Sequence, residues 1–334
     1  MANCQPGRDN GKQQTDWLIN PERYVSEITT SDDGRELVMT NGLIARTFRL
    51  EPGFACISIR NQVTGENYLR SVRPEAQITI DGAVYDIGGL LGQPVHNYLL
   101  PEWIDQLTND EEAFQYVGHT IGDIRPRFEW QKRWEWLSGE VNWPPPGKEL
   151  VVEFKAPALR ARDALRDAIY IDNFATLDDG WEIFASTAHE RNSFIYDVTV
   201  KVHYEIYDGM PLISKWITVE NGSSQAIMLD RFTSEILAAV EGESSVEGEP
   251  VWELPNIHVE TDFAFSGMSN RRASSSTVHW VSDPLYSTQV HYPRQTPCLL
   301  EVRPSLGPAQ EIKPAGVFES FRVWELFFDS HDKE

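Results

Sequence analysis

The stretch SFIYDVTVKVHYEIYDGMPLISKWITVEN, residues 193–221, decides the class of fold. Phe194, Tyr196, Val198, Val200, Val202, Tyr204 and Ile206 occupy alternate positions, with Asp197, Thr199, Lys201, His203 and Glu205 between them. Successive side chains of an extended chain point to opposite faces, so the pattern predicts a strand with one buried face and one largely wet face. The chain then meets Asp208-Gly209-Met210-Pro211 and returns through Ile213, Ile217 and Val219. That is a long antiparallel hairpin.

Working outward, AQITIDGAVYDIGG (76–89) reads as a second hairpin, because Asp81-Gly82 suits the positive φ angles of a type I′ turn. Further strands are expected at 128–136, 149–154, 181–186, 226–240, 257–265, 277–281, 298–303 and 317–328. Helical patterns are sparse. One is PEWIDQLTNDEEAFQYV (101–117), where Trp103, Leu107 and Phe114 mark a short helix or two, and another is ALRARDALRDA (158–168). Neither supplies the repeated crossovers of a parallel sheet, so the expected fold is all-β, a large antiparallel β-supersandwich with a few short helices. Residues 1–20 read as a flexible polar tail and 21–334 as one domain, with EGESSVEGEP (241–250) and SNRRASSSTV (269–278) as loops inside it.

Composition narrows the partners. Hydrophobic residues make up 41% of the 334 and aromatics 11%, enough for a substantial core. Lys and Arg number 29 against 51 Asp and Glu, a formal charge of −22. Such a field repels phosphate backbones and anionic lipid, which argues against nucleic-acid and membrane-surface roles and leaves carbohydrate as a compatible partner. No run of eighteen apolar residues exists, so no transmembrane helix is expected. Cys4, Cys56 and Cys298 show no paired spacing, and Cys56, alternating with core-type residues, reads as a small buried hydrophobe. A polar start close to Cys4 would suit an exported, surface-anchored lipoprotein, although no apolar leader core accompanies it; a secreted, periplasmic or surface location is the expectation, with the cytoplasm as the alternative.

Four segments together resemble a known family: TNGLIARTFRL (40–50), GAVYDIGGLLGQP (82–94), YEIYDGMPLISKWITVENGSSQAIMLDRFTSEILA (204–238) and GPAQEIKPAGVFESFRVWEL (307–326). Their order resembles the N-terminal domain of glycoside hydrolase family 36-type α-galactosidases, a galactose-mutarotase-like β-supersandwich, over roughly residues 21–334. The most specific piece is the hairpin at 203–221 followed by a strand ending near Glu235. In that family a barrel carrying two catalytic Asp residues follows the sandwich. The resemblance therefore implies a sugar context in which this chain is a non-catalytic domain that binds carbohydrate or packs against a C-terminal barrel or another subunit. It also implies that the parent chain continues beyond Glu334. A free-standing aldose epimerase or a glycan-binding module are the alternatives.

Residue by residue, chemistry is thinly marked. Glycoside hydrolysis needs two facing carboxyl groups, and an abundance of acids selects none of them. Glu102 and Asp105 beside Trp103 form the most sugar-like grouping, against the plainer reading of acids favoured in a first helical turn. His96, His119, His189 and His291 sit in loop-like or strand-end contexts where a cleft histidine would lie, and His96 is kept as a carbohydrate-binding candidate. Neither PVHNYLL nor QVHYPRQ matches the Asn-His-aromatic-Phe-Asn stretch of the epimerases, and His203 reads as surface. In RFEWQKRWEWLSGEVNWPPPG (127–147), Phe128, Trp130, Trp134 and Trp136 read as a core-facing row on one strand. Trp143 stands apart, on a stiff Pro144-Pro145-Pro146 loop that cannot enter a central strand, so it is the leading candidate for contact with a sugar or for docking against a neighbouring domain. GGLLGQP (88–94) lacks the Lys-Ser/Thr of a phosphate loop, no HxH, HExxH or Cys/His pair marks a metal, and no GxSxG elbow is present, so no cofactor or metal is expected.

Overall fold

The computed structural model describes residues 17–130, 143–156, 194–240, 254–263, 274–286 and 297–328. The strands expected at 181–186, the helix at 158–168, most of the tail and His189 and His291 lie outside them. The molecule is an antiparallel β-sandwich; among the described residues every ladder between strands is antiparallel, and a single parallel bridge joins Ile87 to Phe114.

The central hairpin forms as its alternation demands. Its arms are Val198–Tyr207 and Leu212–Asn221, paired from Val198↔Asn221 to Ile206↔Ile213. They occupy the middle of a seven-stranded sheet, flanked on one side by Gly147–Lys155 and then Gln115–Asp123, and on the other by Val323–Phe327 and then Ile257–Thr261. Val198, Val200, Val202, Tyr204 and Ile206 are fully buried. The strand begins later than the alternation suggests, because Phe194–Asp197 closes a 3₁₀ turn.

Three four-stranded sheets complete the sandwich. Glu27–Thr30, Glu36–Thr40, Ile44–Arg49 and Ala55–Asn61 form a meander. Ala76–Ile80 and Ala83–Ile87 pair with Ile227–Thr233, which pairs with Pro308–Ile312. Leu69–Ser71, Glu235–Ala239, Leu299–Val302 and Val278–Val281 form the last. Phe48, Ile78, Ile217, Leu229, Leu237 and Leu300, drawn from the four larger sheets, join one core. Each such side chain contributes about 1.5–3 kcal/mol by leaving water.

The turn chemistry is where the sequence puts it. Asp81 and Gly82 have φ of 49° and 81°, the paired positive values of a type I′ turn. At Gly88 (φ +61°), a Cβ would lie 2.5 Å from the Phe54 carbonyl oxygen and 2.9 Å from Phe154 Cε1, against fixed backbone and a packed ring. Gly88→Ala is therefore expected to destabilise by roughly 2 kcal/mol or more, through strain and displacement together. A urea titration checks this, and an unchanged midpoint would sink the assignment.

Three expectations need correction. The segment 101–117 is helical only over Pro101–Ile104; Thr108–Asn109 and the strand beginning at Gln115 follow, because Phe114 is drawn into the core beside Tyr85. Phe128 and Trp130 lie outside any strand, and Phe128 is 58% exposed rather than facing the core; Trp134 and Trp136 lie outside the described residues. The polar face of the central hairpin is not uniformly wet. Glu205 and Tyr207 are buried, and His203 is half-buried, stacked on Trp216 with ring centroids 4.7 Å apart.

Candidate functional site

That covered stretch of the polar face borders the strongest candidate site. Strand register lines up Glu205, Ser214 and Trp324 across three neighbouring strands. Tyr207 ends the first arm of the hairpin, and the turn at 208–211 carries Met210 above it. The segment 124–128, leaving the edge strand, and Trp143-Pro144-Pro145, entering its neighbour, form the opposite wall. Together these elements enclose a groove of about 410 Å³.

Its surface is aromatic. Trp143 is 40% exposed, lies 5.1 Å from the Phe128 ring, and donates its indole N–H to the Phe128 carbonyl at 3.3 Å. Tyr207 stacks on Trp324 at 5.8 Å. The proline run explains why Trp143 stands at the rim: it fixes an extended backbone and offers no N–H to a sheet.

The polar groups are held in a lattice beneath. Arg322 forks onto Glu205 at 2.7 and 3.2 Å, and the Tyr207 and Ser214 hydroxyls donate to the same carboxylate. Burial pushes the Glu205 carboxyl up, opposed by the Tyr207 hydrogen bond and by Arg322. Asp262 accepts from the Trp324 indole at 2.7 Å and from the Arg322 backbone at 3.3 Å. Arg127 reaches both Asp262 and Glu319. Arg322 and Arg127 lie over the Trp216 ring at 4.2 and 5.4 Å, fixing both guanidinium planes by cation–π contact. Aromatic faces beside rigid hydrogen-bonding groups suit a ring that is apolar on its faces and hydroxylated at its edges. Among the described residues, the lining offers one carboxyl group, Asp262, where glycoside hydrolysis requires a facing pair.

The other sequence candidates are scattered. Trp103 stacks on Tyr98 at 5.4 Å, and Glu102 is exposed on the same short helix. Asp105 pairs with Arg35 at 3.0 Å and with Arg49, and lines a separate depression of about 450 Å³ on the meander sheet. His96 joins the Ser71 hydroxyl through Nδ1 at 2.8 Å, beside Arg70 and Arg73, which grip the buried Asp283. Burial and the Arg73 charge push this imidazole down. Of the five, only Trp143 lines the aromatic groove.

No family model matches the chain, and no curated protein matches it. Among solved structures, the GH36 α-galactosidase AgaB from Geobacillus stearothermophilus is similar at TM-score 0.44 and 10% identity, over 91% of this chain and 41% of that one. The galactosidase domain of the α-galactosidase-sucrose kinase AgaSK gives 0.43 and 8%, over 90% and 42%. The α-galactosidase from Lactobacillus brevis gives 0.40 and 9%, over 90% and 40%. The chain thus spans about two fifths of the length of these enzymes.

Tyr207, Asp262, Arg322 and Trp324 escaped the sequence reading. A signal existed for the aromatics. Tyr207 continues the Thr199-Lys201-His203-Glu205 register, and Trp324 falls between Val323 and Glu325, so both rings occupy strand positions of opposite parity to a buried run. No such signal marks Asp262, whose place depends on where the strand Ile257–Thr261 docks.

Proposed function

We propose that this chain is the non-catalytic β-sandwich domain of a carbohydrate-active protein, and that it binds glycan in the Trp143 groove while an adjoining catalytic domain carries the reaction. The observation that carries this reading is Trp143 held at the rim of a groove floored by Tyr207 and Trp324, with Asp262 and Arg322 already fixed beside it. Stacking on the indole and hydrogen bonds to a pre-set carboxylate and guanidinium are what recognition of a pyranose requires. The resemblance of four sequence segments to a glycosidase domain supports the same class of ligand.

Titration of the protein with a panel of neutral and acidic oligosaccharides, followed by tryptophan emission, tests the proposal. A saturable change is expected that Trp143→Ala weakens at least about tenfold, the value of one lost aromatic contact of ~1.4 kcal/mol. Trp143→Phe should retain part of the affinity. A flat response across the panel would overturn the reading.

A further inference from the structure

The groove holds an uncommitted cation in an acidic molecule. The whole chain carries −22, whereas at the groove Arg125, Arg127 and Arg322 balance Asp262 in the lining and the Glu205 and Glu319 carboxylates paired to it from outside. Two of the three arginines are engaged: Arg322 by Glu205, and Arg127 by Asp262 and Glu319. Arg125 is exposed and forms no ion pair or side-chain hydrogen bond with any described residue. It borders the same groove, in the wall segment 124–128 that also carries Phe128, whose ring lies against Trp143. Burial and the neighbouring Arg322 charge push the Arg127 guanidinium below its ordinary value, against the pull of Asp262 and Glu205.

An uncommitted guanidinium is a planar fork of donors matched to a carboxylate, and two such bonds fix direction as well as charge. Its position decides the geometry of a ligand. A sugar ring lying on Trp143 and Trp324 presents its edge substituents to the groove's polar margin, and among the described lining residues the unengaged donor set there is Arg125. A neutral hydroxyl gains little from a guanidinium already hydrated in solvent. A carboxylate gains a charge-assisted pair in a pocket whose aromatic walls exclude part of the water.

We infer that the groove selects carboxylated sugars, hexuronate-containing glycans, with Arg125 as the residue that reads the carboxylate. This rests on the glycan-binding reading above and deepens it. Arg127 and Arg322 are the positioning residues that keep the aromatic floor in place, and Arg125 sets the preference between acidic and neutral rings.

The test uses the full chain and pairs of ligands that differ in the carboxylate alone: oligogalacturonate, oligoglucuronate and oligomannuronate of matched length, each with its fully methyl-esterified form. Calorimetry is expected to show at least one free acid binding about tenfold or more tighter than its ester. Arg125→Gln should bring the pair to within about twofold while leaving ester affinity and urea stability unchanged. Trp143→Ala should weaken acid and ester alike. Added sodium chloride should weaken the acid and spare the ester, and sodium acetate alone should not saturate the site below tens of millimolar, which separates a carboxylated sugar from a simple anion. Esters or neutral oligosaccharides binding as well as the acids, with Trp143 dependence intact, would overturn the inference and leave the glycan-binding reading standing. An acid preference unchanged in Arg125→Gln would overturn the assignment of Arg125. No binding by any acidic or neutral glycan would overturn both.

Discussion

Lys215→Met is expected to cost the fold about 3–5 kcal/mol, the loss typical of removing one partner from a buried charged set. Lys215 is fully buried between the sheets, where its ammonium reaches the Glu235 carboxylate at 3.0 Å and the Glu75 carbonyl. Arg46, 1% exposed, meets Glu235 at 3.1 Å and Glu325 at 3.2 Å, and stacks over Tyr204 at 5.1 Å. The Tyr204 hydroxyl donates to Glu75. Two cations and three carboxyl groups thus share one dry compartment. Removing Lys215 leaves Glu235 and Glu75 short of a counter-charge that water cannot replace. Urea denaturation measures the loss, read as a fall in midpoint at constant slope. The double variant Lys215→Met, Glu235→Gln should recover part of it by removing the stranded charge. A loss under about 1 kcal/mol for the single variant would show that the set contributes little.

The second large effect is on pH dependence. Burial, the Glu235 charge beside it and the hydrogen bond they share push the Glu325 carboxyl from 4.5 up to about 8, against the pull of Arg46. Glu235 goes the other way: although burial pushes it up, Arg46 and Lys215 outweigh that and hold it at about 2. A folded-state value above the unfolded one means that Glu325 stabilises fully below about 4.5, and that its contribution is lost as pH rises through about 8. Glu235, with its lowered value, contributes above about 4.5 and loses that contribution as pH falls towards about 2. Between about 4.5 and 8 the contribution of this cluster to the slope therefore comes from Glu325. Ionisation of Glu325 is expected to lower unfolding stability across that window, at ~1.4 kcal/mol for each unit of displacement. Glu325→Gln, permanently neutral and nearly isosteric, should flatten the decline and leave the wild-type protein the less stable at pH 8. Parallel pH curves for the two proteins would refute the assignment.

This cluster also shows why parts of the chain resist reading from sequence. In TNGLIARTFRL, Arg46 shares the face of Ile44 and Phe48, so the segment fails as an amphipathic strand. All three side chains are nevertheless buried in the strand Ile44–Arg49. The partners that make a buried arginine tolerable, Glu235 and Glu325, lie 189 and 279 residues away. Local alternation holds no trace of them. The same holds for the groove. Trp143 was legible because a tryptophan before three prolines cannot be an interior strand residue. Asp262 and Arg322 were not, because their roles come from strands that meet only after the sheet assembles.

The sequence by itself determined the all-β class, the central hairpin and its buried face, the Asp81-Gly82 turn and the loop-mounted Trp143. Each follows from steric rules acting over a few residues: the two-residue period of extended chain, the positive φ of a tight turn and the missing N–H of proline. Tertiary structure alone decided which polar residues are buried, which carboxyl group keeps its proton and which aromatics share a groove. Those outcomes depend on strand order and on the dielectric around each charge, and both are set by contacts between residues far apart in the chain.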